Sequence, residues 1–341
     1  RSNAAIIPVF QTLVSVAGGA TGYDIFTGVS SDYWDETLDR ITKLQHPTFP
    51  SDAPLDEHGN KRSLYFAAER LNGFFAAHGK ALLECEQDTD CAYLLYAPYA
   101  AVSSWIPDER YWAVEGHDIP RCGHQGFEEF AASCQVAGYS VAMFELEAAT
   151  PERFAACRSL AIQSAFFMGR AEQQKLADFV ASGRRLFLSG ELPTCDENLA
   201  PCDVLKQAVE AAVGQGADAR VHYHRENLFA EGTFPETLAA AGIAPRMTYA
   251  ADMRAYYHRH TSRDAGFLFF FNFDNRGPVE KWIEIDGRRL ELTLGAKTCG
   301  VLRLDEGRIT AHYLKAENEV EGVHDTVRIT LGDQTIEASS T

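Results

Sequence analysis

The feature that most limits what this chain can fold into is a change of hydrophobic period near Gly242. Upstream of it, from Asp90, short apolar runs at 91–98, 140–146, 160–167, 184–189 and 220–224 alternate with amphipathic stretches at 125–138, 151–158, 171–183 and 202–213. The runs have strand length and the stretches have helical spacing. Such alternation predicts a parallel sheet with helices on both faces, because each helix must carry the chain back across a face before the next strand. Thr150-Pro151-Glu152 supplies one helix start, an N-cap threonine followed by proline in the first turn. Downstream, runs at 254–258, 266–272, 279–285, 288–294, 298–304 and 309–312 follow one another across Asp-Gly, Asn-Arg-Gly and Glu-Gly turns, and a last one covers 325–336. Asp286-Gly287 between two alternating runs is a hairpin signal, so the final third predicts a small antiparallel β-sandwich or barrel.

The first 80 residues follow neither pattern. The spacing of Ile6, Phe10, Leu13 and Val14 predicts a helix ended by Gly18-Gly19. A short strand is expected over 21–28, then a polar connection of about 30 residues, long enough to be functional. The stretch 61–79 predicts an amphipathic helix with Leu64, Ala67, Ala68, Leu71, Phe74 and Phe75 on one face. A lone parallel strand would leave its backbone groups unpaired, so the segment reads as the tail of an α/β repeat whose earlier units lie outside this chain. The expected division is 5–80, 81–245 and 246–341: the last helix–strand–helix of a truncated barrel, a flavodoxin-like doubly wound domain and a β-sandwich.

Charge and cysteine narrow the function. The 341 residues carry a formal net charge of −17, which repels phosphate backbones and anionic lipid, so neither nucleic acid nor a membrane is an expected partner. No apolar run approaches the roughly 20 residues that a membrane helix needs. Arg1-Ser2-Asn3-Ala4 has the look of residues left by cloning and lacks a signal-peptide core. The eight cysteines form no C-x-x-C pair and read as buried reduced thiols; Cys85 with Cys91 and Cys195 with Cys202 are the close pairs. The compartment is left open, with a cytoplasmic setting the weak default.

Three stretches, in order, carry a likeness to known enzymes. Phe10-Gln-Thr-Leu-Val-Ser-Val-Ala-Gly-Gly-Ala-Thr-Gly-Tyr-Asp-Ile-Phe-Thr-Gly28, then Ala53-Pro-Leu-Asp-Glu-His-Gly-Asn60 and Tyr65-Phe-Ala-Ala-Glu-Arg-Leu-Asn-Gly-Phe-Phe75, resemble the end of the catalytic barrel in family 35 and family 42 glycoside hydrolases. The middle resembles the class I amidotransferase-like domain that follows the barrel in family 42. Phe269-Phe-Phe-Asn-Phe-Asp-Asn-Arg-Gly277, with Ile285-Asp-Gly-Arg-Arg-Leu-Glu-Leu292, is similar to their terminal β-sandwich. The resemblance implies a parent β-galactosidase of the retaining kind and, by analogy, trimer formation. The family's acid and nucleophile glutamates sit on earlier barrel strands that have no counterpart here. This chain alone is therefore expected to be inactive, with no catalytic residue, no cofactor and no metal, and to meet a β-galactoside or related oligosaccharide only through its parent. A non-catalytic carbohydrate-binding or assembly module is the alternative.

Retaining glycosidases aim two carboxyl groups about 5–5.5 Å apart at one sugar bond, and one strand end cannot supply both. Asp24, Asp32, Asp35, Glu36, Asp52, Asp56 and Glu57 are the acidic residues nearby, of which Asp56-Glu57 read as a turn and a cap for the next helix. Tyr23, Phe26 and Trp34 are the substrate-binding candidates, lining a sugar subsite, with core packing or loop anchoring as the plainer reading. A third reading is an amidotransferase-like hydrolase using Cys195, although Glu191-Leu-Pro-Thr-Cys-Asp lacks the glycines of a nucleophile elbow. His222 with His224, and His258 with His260, alternate along strands and would form a metal site only if those strands met. Leu228-Phe229 and Trp282 read as packing, and the acidic run 317–321 as a solvated face.

Overall fold

The computed structural model describes residues 6–25, 27–30, 53–105, 122–214, 216–229, 232–275, 277–315 and 327–338. The chain divides into two compact units: residues 1–88 with 248–341, and residues 89–247. The first and last segments of the sequence thus build one unit, and the middle segment builds the other.

The first unit opens with α1 (Ile6–Ala17) and α2 (Ser63–Leu82). Along α2, Leu64, Ala67, Ala68, Leu71 and Phe74 are buried, the stripe expected from spacing, while Phe75 is half-buried. On α1 the buried stripe is Val9, Leu13, Val16 and Ala17, and Val14 is exposed. That face is rotated from the one read off Phe10 and Val14. Where a strand was expected over 21–28, the described residues join no ladder; the nearest pairing is an isolated parallel bridge between Val29 and Leu55. Asp56 does form a turn, accepting from the Asn60 amide at 2.7 Å and the His58 amide at 2.9 Å. It does not cap α2, whose N-cap residue is Arg62. The strand β1 (Cys85–Gln87) ends this half.

The second unit follows as β2 (Cys91–Leu95), α3 (Ala97–Trp105), α4 (His124–Val136), β3 (Val141–Glu145), α5 (Pro151–Ala156), β4 (Ser159–Ser164), α6 (Arg170–Ala181), β5 (Arg185–Gly190), α7 (Val204–Ala212), β6 (Val221–His224) and α8 (Thr233–Ala240). The strands form one sheet in the order β3-β2-β4-β5-β6, and every neighbouring pair is parallel. One face carries Ala92, Leu94, Leu160, Ile162, Leu186 and Leu188 under α3, α5, α6 and α7; the other carries Cys91, Tyr93, Ala161 and Phe187 under α4 and α8. Burial on both sides explains why β2 and β4 are buried at every position. The Thr150 side chain accepts from the Arg153 amide at 3.4 Å, with Pro151 in the first turn of α5.

The chain then returns to the first unit through β7 (Met247–Tyr249), β8 (Met253–His260), β9 (Ala265–Asn272), β10 (Val279–Ile285), β11 (Arg288–Leu294), β12 (Cys299–Asp305), β13 (Arg308–Lys315), β14 (Val327–Leu331) and β15 (Gln334–Ala338). These make two five-stranded sheets, β1-β8-β9-β12-β13 and β15-β14-β11-β10-β7. Phe267, Phe269 and Phe271 of β9 pack under α1 and α2. The two sheets are joined by Arg288 Nη2 to Asp264 at 2.8 Å and by the Ile309 amide to Gln334 Oε1 at 2.9 Å. Asp286 and Gly287 both take positive φ, 52° and 69°, and close the hairpin at Ile285 and Arg288 as the sequence predicted. In the first sheet, Gly300 stands opposite Phe270, whose ring fills the space a Cβ would take.

Candidate functional site

In an open parallel sheet, the place to look for a site is the crevice at the carboxyl ends where strand order reverses. Here that point lies between β2 and β4. The two strands pair only at Ala92 with Leu160 and Tyr93 with Ala161, whereas β4 runs beside β5 from Ser159 to Ser164. Beyond Tyr93 and Ala161 the pairing with β2 stops, while β4 continues beside β5 to Ser164 and the chain then runs on to α6.

Two tyrosines occupy the gap. Tyr99, on α3, is fully buried; its hydroxyl donates to the Phe167 carbonyl and accepts from the Ala165 amide at 3.1 Å. The Tyr96 hydroxyl accepts from the Gly169 amide at 3.0 Å, and its ring meets Tyr99 edge-on at 4.8 Å. Burial raises both phenols above their ordinary range, so each keeps its proton and acts as a hydrogen-bonding plug. The backbone groups that would otherwise face a ligand in this crevice are satisfied by the protein itself.

The rim is built by capping. Glu147 accepts from the Ala97 amide at 3.0 Å at the start of α3, and Glu197 accepts from the Arg170 amide at 3.0 Å at the start of α6. Both carboxylates sit where a helix dipole favours negative charge. Burial is the leading cause of a raised Glu147 carboxyl. Lys175 reaches the Leu146 and Glu147 carbonyls at 3.1 and 2.7 Å. Gly190 closes β5 with φ 95°, and a Cβ there would lie 2.3 Å from the Ser164 carbonyl oxygen, so only glycine allows this approach. A hollow of about 390 Å³ in this unit is lined by residues 211–214 and 218–220, at the opposite end of the sheet.

Cys195 lies in the loop after β5. Its carbonyl accepts from the Met168 amide and from Gln173 Nε2, each at 3.0 Å, which ties two loops together. The neighbour of its thiol among the described residues is Thr194 Oγ1 at 3.9 Å. A nucleophile requires an adjacent base, and among the described residues no hydrogen bond from the thiol to one is seen.

Of the sugar-subsite candidates, Tyr23 is half-buried, bonds Asn72 through its hydroxyl and meets Phe75 edge-on at 6.3 Å. Phe26 and Trp34 lie outside the described residues, as do Asp32, Asp35, Glu36, Asp52 and the run 317–321. The histidine pairs are not brought together: His222 and His224 stand on β6 of the parallel sheet, His258 and His260 on β8 of the sandwich. Among the described residues no three metal-ligating side chains are grouped. His222 stacks on Phe187 at 4.8 Å, and His258 bonds the Ala17 carbonyl at 2.8 Å. None of the eight cysteines forms a disulfide. Leu228 and Phe229 are buried, as expected.

The plug of Tyr96 and Tyr99 was not foreseen from sequence. The available signal was Tyr96-Ala-Pro-Tyr99 directly after an apolar strand, with proline in the first turn of a short helix.

Comparisons with known proteins place this geometry. A family model described as GLMA-like, second domain, matches residues 119–231, which lie in the α/β unit. A β-1,2-glucosyltransferase from Ignavibacterium album is 29% identical over 167 residues, 47% of this chain and 23% of that protein. Among solved structures, the cold-adapted β-galactosidase from Rahnella sp. R3 matches with a TM-score of 0.59 and 12% identity, over 87% of this chain and 51% of that one. Gan42B, a GH42 β-galactosidase of G. stearothermophilus, gives 0.57 and 12%, over 88% and 51%. The β-galactosidase from Bacillus circulans sp. alkalophilus gives 0.59 and 10%, over 86% and 51%. The chain therefore has a fold found in GH42 β-galactosidases. It spans about half the length of those structures and under a quarter of the glucosyltransferase.

Proposed function

We propose that this chain is the accessory portion of a longer carbohydrate-active enzyme, a glycoside hydrolase acting on terminal β-galactosides. In this reading, 5–80 is the end of its barrel, 81–245 a flavodoxin-like, class I amidotransferase-like domain, and 246–341 its sandwich. The carrying observation is that the likeness to GH42 β-galactosidases runs across both units while covering only half of each relative. The strand order β3-β2-β4-β5-β6, second-first-third-fourth-fifth in chain order, supports the flavodoxin-like assignment. The tyrosine-filled crevice supports an accessory role, since the place where such a domain would hold its own ligand is taken up. The units then assemble copies of the parent, as a trimer, or wall its sugar pocket, where Tyr23, Phe26 and Trp34 are the subsite residues we assign.

The glucosyltransferase likeness favours a second reading of the parent, in which the sugar is handed to another sugar and not to water. One experiment separates these. The parent protein and this chain are each given a chromogenic β-galactoside and, separately, an activated glucoside with a glucose acceptor. Hydrolysis of the galactoside by the parent alone supports the first reading; transfer without hydrolysis supports the second. Reproducible turnover by this 341-residue chain alone would overturn the accessory role.

A further inference from the structure

Two aspartates stand two residues apart where the chain passes from one unit to the other, and each is committed to its own unit. Asp88 is the last residue of the first segment of the sandwich unit. Its Oδ2 accepts from Arg259 Nη2 at 2.7 Å and Nε at 3.0 Å, and its amide donates to the Tyr257 carbonyl at 2.8 Å. Arg259 also holds Asp286 at 2.9 Å, so one guanidinium fastens β1, β8 and the β10–β11 turn. Paired, forked contacts of this kind resist displacement better than a single bond.

Asp90 is 1% exposed, and a carboxylate that far from water must be held by donors. Its Oδ2 accepts from the Ser140 amide at 3.0 Å, and its Oδ1 from Arg158 Nη1 at 3.2 Å and the Arg246 amide at 3.3 Å. Its carbonyl accepts from Ser159 Oγ at 3.0 Å. Arg158 Nη1 also donates to the Ala244 carbonyl at 2.9 Å, and Tyr139 donates to the Ile243 carbonyl at 2.9 Å. Asp90 thus gathers the starts of β2, β3 and β4 and the segment by which the chain leaves the α/β unit.

We infer that Asp88 and Asp90 tether the two units separately, with Asp88 fastening the sandwich and Asp90 fastening the two ends of the α/β unit to each other. Opening of either unit is then governed by its own aspartate.

The test is residue-resolved amide hydrogen exchange on the full chain carrying Asp90→Asn or Asp88→Asn. With Asp90→Asn, exchange at Ser140, Arg246 and their neighbours should rise at least about tenfold while β8 and β9 keep their protection; Asp88→Asn should do the reverse. Should Asp90→Asn prevent folding, Arg158→Met keeps the carboxylate and removes its bonds to both Asp90 and Ala244, and should raise exchange at Arg246 and its neighbours while β8 and β9 keep their protection. The inference is overturned if both aspartate variants loosen both units alike, or if residues 140 and 246 exchange in Asp90→Asn as they do in the unaltered chain.

Discussion

Strands β4 and β9 are buried alike and lie in opposite kinds of sheet. Ser-Leu-Ala-Ile-Gln-Ser of β4 is parallel to its neighbour β5, and Ala-Gly-Phe-Leu-Phe-Phe-Phe-Asn of β9 is antiparallel to both of its neighbours, yet each is buried at every position. In β10, an antiparallel strand of the other sandwich sheet, Lys281, Ile283 and Ile285 are buried and the residues between them are not. Burial at every position therefore reports that both faces are covered, and not that the strand is parallel. β4 is covered by helices on either side. β9 has α1 and α2 on one face and serves as the inner strand of a sandwich on the other.

The largest effect should come from testing that coverage directly. Phe269→Ala empties a fully buried site beneath the helices and should cost about 3–5 kcal/mol in urea unfolding. Glu284→Ala on the open face of β10 should stay within about 0.5 kcal/mol. Equal costs would mean that α1 and α2 do not cover the β9 face.

The units also differ in how a vulnerable end is closed, by packed rings in the sandwich and by phenol hydroxyls in the α/β crevice. Tyr99→Phe keeps the ring and removes the bonds to Ala165 and Phe167. It should cost about 1–3 kcal/mol, because the Ala165 amide is left unpaired in a buried place. A neutral result would imply that water enters the crevice and replaces the hydroxyl, which a crystal structure of the variant would reveal.

How much of this was legible follows from what each element depends on. The alternation over 91–224 was readable because the inner strands β2, β4 and β5 are buried on both faces and so appear as apolar runs, and the Asp286-Gly287 turn because its backbone favours those residues. α3 and α8 were missed: Pro98, which the sequence reading placed at the end of the run 91–98, and Pro235 lie in their first turns, where proline fits a helix. The run 21–28 looked like a strand, but a strand is a property of a pair, and among the described residues the run is met only at its end, where the Leu55 amide donates to the Gly28 carbonyl. The three-residue strands β1 and β7 exist only through their neighbours. The crevice was harder still, since the tyrosines bond main-chain groups that sequence does not distinguish. Asp90 marked only the start of the alternation in the sequence, and nothing there set it apart from the other acids of a chain of net charge −17.

The smallest and sharpest contrast is between two histidines, one in each unit. His258 Nε2 has the Ala17 carbonyl as its partner, whereas His222 Nε2 is buried without one. His222→Phe should therefore stabilise by about 1 kcal/mol and keep the stack on Phe187, while His258→Phe should destabilise by a similar amount. Both imidazoles are held below their ordinary value of 6.5, chiefly by burial. A base with a lowered folded value binds fewer protons folded than unfolded, so stability is full above 6.5 and falls as pH drops toward the folded value. Urea midpoints at pH 7.5 and 5.5 read this out, and His222→Phe should shrink the acid loss as well as raise the midpoint. If it raises the midpoint equally at both values, His222 carries no proton linkage, and burial in the α/β unit acts on it through packing alone.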